Sequence, residues 1–150
     1  MTALIQRFQR LRKEEKGITL VELLAVIVII GVIAAIAVPL ITGLLDDTKE
    51  NARSATANQL YEAARLRSIA TQNGSVTGTH TLKNLVDDGY MPSGLTDPKS
   101  GKPLADTTTV DLSNGAAVVV TFVISGDSTV YFTSSDLKNG KAGSTTKPTT

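Results

Sequence analysis

Cysteine is absent from the 150 residues. That excludes disulfides and thiolate metal sites, although it does not exclude an extracellular location. There is one histidine, His80. A zinc site there would need several carboxylates gathered around it, and a lone histidine between structured elements is read as a solvated loop residue. Aromatic rings are scarce at 4% of the chain, and Tyr61 is the only one in the longest helical stretch, so stacked rings cannot form a path for electrons along it. No Ser/His/Asp grouping, phosphate-binding loop or pair of carboxylates in a plausible cleft is present, so no enzyme is read here. No cofactor is expected. Formal net charge is only +1, which encodes no strong pull toward nucleic acid. The length suits one modest domain.

Charge is missing in one place above all. From Leu23 to Leu45 the chain reads LLAVIVIIGVIAAIAVPLITGLL, 23 residues without a charged side chain and with Thr42 as the single polar one. As a helix this run measures about 34 Å, enough to cross a hydrocarbon core of about 30 Å. Before it lie Arg7, Arg10, Arg12, Lys13 and Lys16, offset only by Glu14 and Glu15; after it come Asp46 and Asp47. This asymmetry places the N-terminus in the cytoplasm and the C-terminal bulk outside. Without residues 1–17 the chain keeps 10 basic and 12 acidic residues, so the basic end is a local device.

Residues 46–74 contain no proline and are rich in good helix formers. Leu60, Ala63, Ala64, Leu66, Ile69 and Ala70 form an apolar stripe, and Asn73-Gly74 is a stop. With no turn signal between the two segments, one helix is expected from about Ile18 to Asn73. Gly31, Pro39 and Gly43 are its weak points, and a kink is expected at Pro39. Residues 75–106 read as a loop with one short helix, capped by Thr81 and ended by Gly89. The period then changes to two in Thr107–Leu112, Ala117–Ile124 and Thr129–Ser134, predicting an antiparallel meander of at least three strands. Residues 135–150 read as a flexible tail. Lys138, Lys141 and Lys147 lie there without interleaved aromatics, so no direct nucleic-acid contact is expected.

Two residues around the start of the apolar run are physically odd. Gly17 stands at the border between the charged leader and the run. Glu22 places a carboxylate inside it, with no Lys, Arg or His in the next 26 residues. A carboxylate in a membrane segment is costly and marks function. A positive partner would appear if the bond after Gly17 were cut, because Ile18 would then carry an α-amino group that is largely protonated near neutral pH. The bland alternative is that Glu22 sits in the first helical turn, snorkels to the headgroups and gains a little from the helix dipole.

The sequence Lys16-Gly17-Ile18-Thr19-Leu20-Val21-Glu22, opening a long apolar stretch, resembles the signal of the type IV pilin family, including the competence and type II secretion pseudopilins. The resemblance runs from about Lys13 to Ile41, with Ile18 where the family usually has Phe, and with Gly31 and Pro39 at typical positions. It implies an α+β fold, a long N-terminal helix packed on a small antiparallel meander. It implies a cytoplasmic leader, 1–17, removed by prepilin peptidase between Gly17 and Ile18, and N-methylation of Ile18. It implies that residues 18–45 are first a span of the cytoplasmic membrane and then the core of an extracellular filament, with a globular head over 46–134. Glu22 would neutralise the terminal amine of a neighbour. The implied partners are identical or related subunits, the assembly platform and its ATPase. Family heads often carry a disulfide, which this chain cannot; Asp127, Asp136 and Asn139 are candidate calcium ligands, the simpler reading being scattered surface polar groups.

Two rival readings of the N-terminus remain. Ala35-Ile36-Ala37 resembles the small-x-small site of an ordinary signal peptidase, which would release a secreted domain starting at Val38. Against it, the apolar region before that site is long and contains Glu22. An uncleaved single-pass membrane protein is the other.

Overall fold

A computed structural model describes residues 19–113 and 119–148. The leader and Ile18 therefore lie outside the described residues, as do Asn114-Gly115 and the start of the strand expected at Ala117. The long helix, α1, runs from Leu20 to Thr71 over 52 residues. It continues through Gly31 and Pro39, where proline has no amide hydrogen to offer the preceding turn. The hydroxyl of Thr42 donates to the Pro39 carbonyl at 2.9 Å. The chain divides into two compact units between Gly43 and Leu44. In the first, every large apolar side chain from Leu20 to Ile41 is exposed.

The second unit is the head. After α1 come β1 (Thr79–Thr81), α2 (Leu82–Asp87), β2 (Thr109–Asp111), β3 (Val120–Phe122), β4 (Val130–Phe132) and α3 (Ser134–Asn139). The sheet is antiparallel throughout, in the order β1-β2-β3-β4. Alternation decides its faces: Val110, Val120, Phe122, Val130 and Phe132 point inward and are buried, together with Ala57, Leu60, Ala63 and Ala64 of α1. Phe122 and Phe132 meet in a tilted pair with ring centroids 4.9 Å apart, an arrangement aromatic quadrupoles favour.

The expected α+β architecture is the one observed, and the three expected strand regions contain β2, β3 and β4. Four features differ from the sequence reading. First, the apolar stripe of α1 does not all face the core: Leu60, Ala63 and Ala64 are buried, while Leu66, Ile69 and Ala70 are exposed. Nine residues separate Leu60 from Ile69, about two and a half turns, so the two lie on opposite sides of the helix. The buried row instead starts lower, at Arg53, Ser54 and Ala57. Second, His80 is neither in a loop nor solvated. It forms the middle of β1, is 2% exposed, and holds Arg67 Nη1 at 2.8 Å from its Nδ1 and the Thr77 carbonyl at 3.2 Å from its Nε2. Because guanidinium only donates, Nδ1 is the acceptor and the proton sits on Nε2.

Third, the stretch read as a tail contains α3. Thr133 caps it in a reciprocal capping box with Asp136, and Gly140 ends it in the left-handed conformation at φ 64°. Leu137 is buried, and its carbonyl accepts from the Asn58 amide at 3.2 Å. Ser144 then pairs with Tyr131 on the outer edge of β4 through two backbone bonds of 2.8 and 2.9 Å. A Cβ at Gly143 would stand 2.6 Å from the Tyr131 carbonyl, so only glycine lets the chain come this close. Fourth, the proline- and glycine-rich loop is pinned to α1. Asp97 is fully buried and accepts both arms of the Arg53 guanidinium, Nε at 2.6 Å, while also accepting the Ser100 N–H and hydroxyl at 2.9 and 2.7 Å. One helical turn before Arg53, Glu50 pairs with Lys99.

Burial alone would push the Asp97 carboxyl up; the Arg53 fork and the Ser100 donors outweigh it and hold it below the usual value. A lowered folded value means that this pair's contribution is complete above the unfolded carboxylate value of about 3.9 and is lost as pH falls through the folded one. A head fragment starting at Asp46 should therefore lose stability in acid below about pH 4, and Asp97→Asn should flatten that part of the profile. Asp97→Ala should cost about 3–5 kcal/mol in chemical denaturation, because it leaves the Arg53 charge buried without a partner. Phe122→Ala in the same fragment should cost about 3–5 kcal/mol by opening a cavity beside Phe132.

Candidate assembly site

The start of α1 gives Glu22 its geometry. The first four amides of a helix have no carbonyl behind them and need an outside acceptor. Thr19 stands just before the helix, and its carbonyl receives the first helical bond, from Leu23 N at 3.0 Å. Its hydroxyl accepts from the Glu22 N–H at 3.2 Å. The Glu22 carboxylate folds back, and its Oε2 accepts from both the Thr19 N–H and the Thr19 hydroxyl at 2.8 Å each. This is a reciprocal capping box, two donors satisfied by two neighbouring side chains.

The arrangement changes the status of Glu22. Sequence reasoning looked for a positive partner because the run holds none. The structure supplies a neutral one inside the same turn, and the snorkelling alternative becomes specific: the carboxylate caps its own helix. The signal was legible as Thr19-x-x-Glu22 ahead of an apolar run and was passed over because Glu22 was weighed as a charge and not as a hydrogen-bond acceptor. Both Thr19 donors converge on Oε2.

The other predicted residues are spread along the chain. Gly17 and Ile18 precede the described residues. Gly31 lies about one-fifth of the way along α1, and a Cβ added there would meet nothing within 4 Å. Pro39 follows eight residues later inside the same helix. α1 is long and apolar enough to cross a membrane. The candidate calcium ligands are not brought together. Asp127 accepts from Lys102 and from Ser128, whose N–H, with the Lys102 ammonium, holds its carboxyl below the usual value. Asp136 is taken by the α3 capping box. Among the described residues no group of three acidic, histidine or cysteine side chains could hold a metal ion.

Comparison with known proteins bears on this end of the chain. Residues 12–38 match the family described as the prokaryotic N-terminal methylation motif. Over 99 residues the chain is 30% identical to the type II secretion system core protein G of Pseudomonas aeruginosa, a stretch that covers 58% of this chain and 70% of that protein. No solved structure matches.

If the capping box holds the first turn, Thr19→Val should fray it at nearly constant volume. The loss should be about 1 kcal/mol of local helix stability, read as faster amide exchange at Leu20–Leu23 in detergent micelles with no change in the head. Unchanged exchange at those amides would show that the box contributes nothing.

Proposed function

Since the chain belongs to the type IV pilin and pseudopilin family, we propose that it is the subunit of a surface filament, made as a precursor, cut between Gly17 and Ile18 and polymerised through α1. The observation that carries this reading is the exposed apolar helix that begins in a Thr19–Glu22 capping box. Twenty-three uncharged residues whose large side chains are exposed among the described residues need either lipid or other copies of themselves. In a membrane, α1 satisfies every backbone group internally. In a filament, its side chains would bury against neighbouring copies, with a return of about 25 cal/mol for each Å² kept from water, while the exchange of lipid for protein contact is close to neutral in hydrophobic terms.

Cleavage fits the geometry. The scissile bond would lie two positions before the first residue of α1, within reach of a peptidase on the cytoplasmic side. The Thr19 amide belongs to the Ile18–Thr19 bond and survives the cut, so the capping box persists in the mature chain. The new Ile18 ammonium would lie four positions before a carboxylate that Thr19 engages through Oε2. A neighbour's ammonium can approach the other oxygen while Thr19 keeps Oε2. Glu22 thus serves both readings: it caps its own helix in the membrane and neutralises an amine when subunits pack. N-methylation of Ile18 would leave that amine positively charged.

Within the family, the identity to a type II secretion core protein favours a pseudopilus of the secretion type over an adhesive or DNA-uptake pilus. The partners would be prepilin peptidase, further copies or related subunits, and the platform and ATPase that drive extraction from the membrane.

Mass spectrometry of the mature protein tests the processing: its N-terminus should be Ile18, methylated, and a chain that retains Met1 at the surface would overturn the reading. Glu22→Ala should leave insertion and cleavage intact while reducing filament yield severely, because the orphaned amine costs roughly 3–5 kcal/mol per subunit once buried. Glu22→Gln keeps the acceptor for Thr19 and loses the charge. It should preserve the first helical turn yet fail in assembly, which separates the capping role from the pairing role.

A further inference from the structure

The β4 side of the sheet is closed by the chain's own end. After α3, Gly140 turns the backbone and the Lys141 N–H bonds back to the Asp136 carbonyl at 2.9 Å. The following segment then meets β4 in an antiparallel bridge between Ser144 and Tyr131. Val130 and Phe132 pair with β3, on one side of β4. Tyr131, between them, gives its N–H to the Ser144 carbonyl at 2.8 Å and accepts the Ser144 N–H at 2.9 Å. Both of its main-chain groups therefore face away from β3. A strand edge with such groups unmet is a template for pairing with another chain. The segment that meets them is held by little else. Among Lys141 to Thr146 only Ala142 is apolar, and the Thr146 N–H bonds to the Ser144 hydroxyl at 3.1 Å, which turns the chain directly after the bridge. Its anchor is Gly143. A Cβ there would stand 2.9 Å from Val130 Cγ1 and 3.0 Å from Phe132 Cδ1, so bare backbone lies against two buried side chains and closes the core at this edge.

We infer that residues 141–146 are a guard strap: seated, they keep β4 from pairing with another chain; released, they uncover an edge that pairs with β4 of a second copy. The occupant is a second copy because of what Tyr131 offers. Two residues that face each other in a hydrogen-bonded antiparallel pair exchange both bonds, and Ser144 meets Tyr131 in this way. The exchange uses main-chain groups alone, so a second Tyr131 can stand where Ser144 stands, related to the first by a two-fold axis through the pair. The same groups then serve on both sides, and the contact closes on itself as a dimer. A dimer of this kind uses up the edge and leads to no further addition there. Gly143 decides between the two states. Any side chain at that position strikes the Tyr131 carbonyl, 2.6 Å from the added Cβ, and holds the strap off the edge.

The inference does not rest on the filament reading. The lack of native cysteine allows a reporter on β4 itself, because directly opposed residues of a hydrogen-bonded antiparallel pair have Cα atoms about 5.5 Å apart, within disulfide range. In the full chain held in detergent micelles, Tyr131→Cys should give little disulfide dimer on mild oxidation, since the strap covers the position. Adding Gly143→Val, or a stop after Gly140, should raise that dimer at least tenfold. Thr71→Cys, exposed at the end of α1, should cross-link to the same extent with the strap and without it. Slow amide exchange at Val120–Phe122 should persist in every variant. Equal Tyr131→Cys dimer with the strap seated and released, no dimer in either, or the same rise at Thr71→Cys overturns the inference. Loss of slow exchange at Val120–Phe122 in the strap-free chains overturns it as well, because the strap is then a part of the core and not a guard over its edge.

Discussion

The amides at the start of α1 have no carbonyls to reach, and the way they are satisfied shapes what the rest of the chain can do. In water a frayed first turn costs little, because solvent replaces the missing acceptors. At the edge of a hydrocarbon core that substitute is lacking, and each open amide costs far more. Thr19 and Glu22 close two of these donors within one turn. They do so with a carboxylate, a stronger acceptor than a neutral amide or hydroxyl, and place negative charge where the helix dipole is positive. A residue that looks like a defect in an apolar run is therefore a local requirement of the helix that carries the run. Both Thr19 donors converge on the same oxygen, Oε2.

A different constraint governs the head. The core is small, built from Phe122, Phe132, four valines and leucines around them, and no disulfide reinforces it. The loop between α2 and β2 carries three prolines and two glycines from Pro92 to Pro103 and cannot form a regular element. Asp97 solves that problem at a cost. Burying its carboxylate is unfavourable by itself, and the Arg53 fork with the Ser100 donors recovers the loss. The net stabilisation of such a pair is modest, but its geometry is demanding. Only one placement of the loop on α1 satisfies both guanidinium arms, so the pair fixes where Leu95 and Leu104 enter the core. The Glu50–Lys99 pair one turn away repeats the same register at the surface, where screening leaves it little energy of its own.

The fold was legible in the sequence wherever a period was long enough to repeat. α1 has dozens of residues in which to declare itself, and β2 to β4 show their alternation over six to eight residues each, although the strands themselves span three. β1 was not legible, because Thr79-His80-Thr81 is too short for a period and its one inward residue is a histidine. Its burial depends on Arg67, 13 positions away. Arg53–Asp97 was hidden for the same reason: 44 residues separate the partners, and neither stands out locally. The misreadings at Thr19 and at α3 are of another kind. Thr19-x-x-Glu22 and Thr133-x-x-Asp136 are the same short capping signal, the second followed by Asn139-Gly140, and both were present in plain sequence. Each was outweighed by a neighbouring impression, a charge in a membrane segment in one case and a polar, lysine-containing end in the other.

The same comparison explains why α1 presents two unlike faces to its surroundings in the head. Its inward row uses mostly small residues, Ser54, Ala57, Ala63, Ala64 and Ser68, with Leu60 as the large apolar one and Arg53 held by Asp97. Small side chains let the helix lie close to the sheet, where Phe122 and Phe132 supply the bulk, so volume is divided between the layers and neither is overpacked. The apolar residues that do not fit that arrangement were left at Leu66 and Ile69, half a turn or more away from the core. If solvation were the only demand on that side, substituting them by charged residues would cost the head nothing and gain solubility. The apolar half of α1 shows the same contrast on a larger scale: among the described residues its large side chains from Leu20 to Ile41 are all exposed.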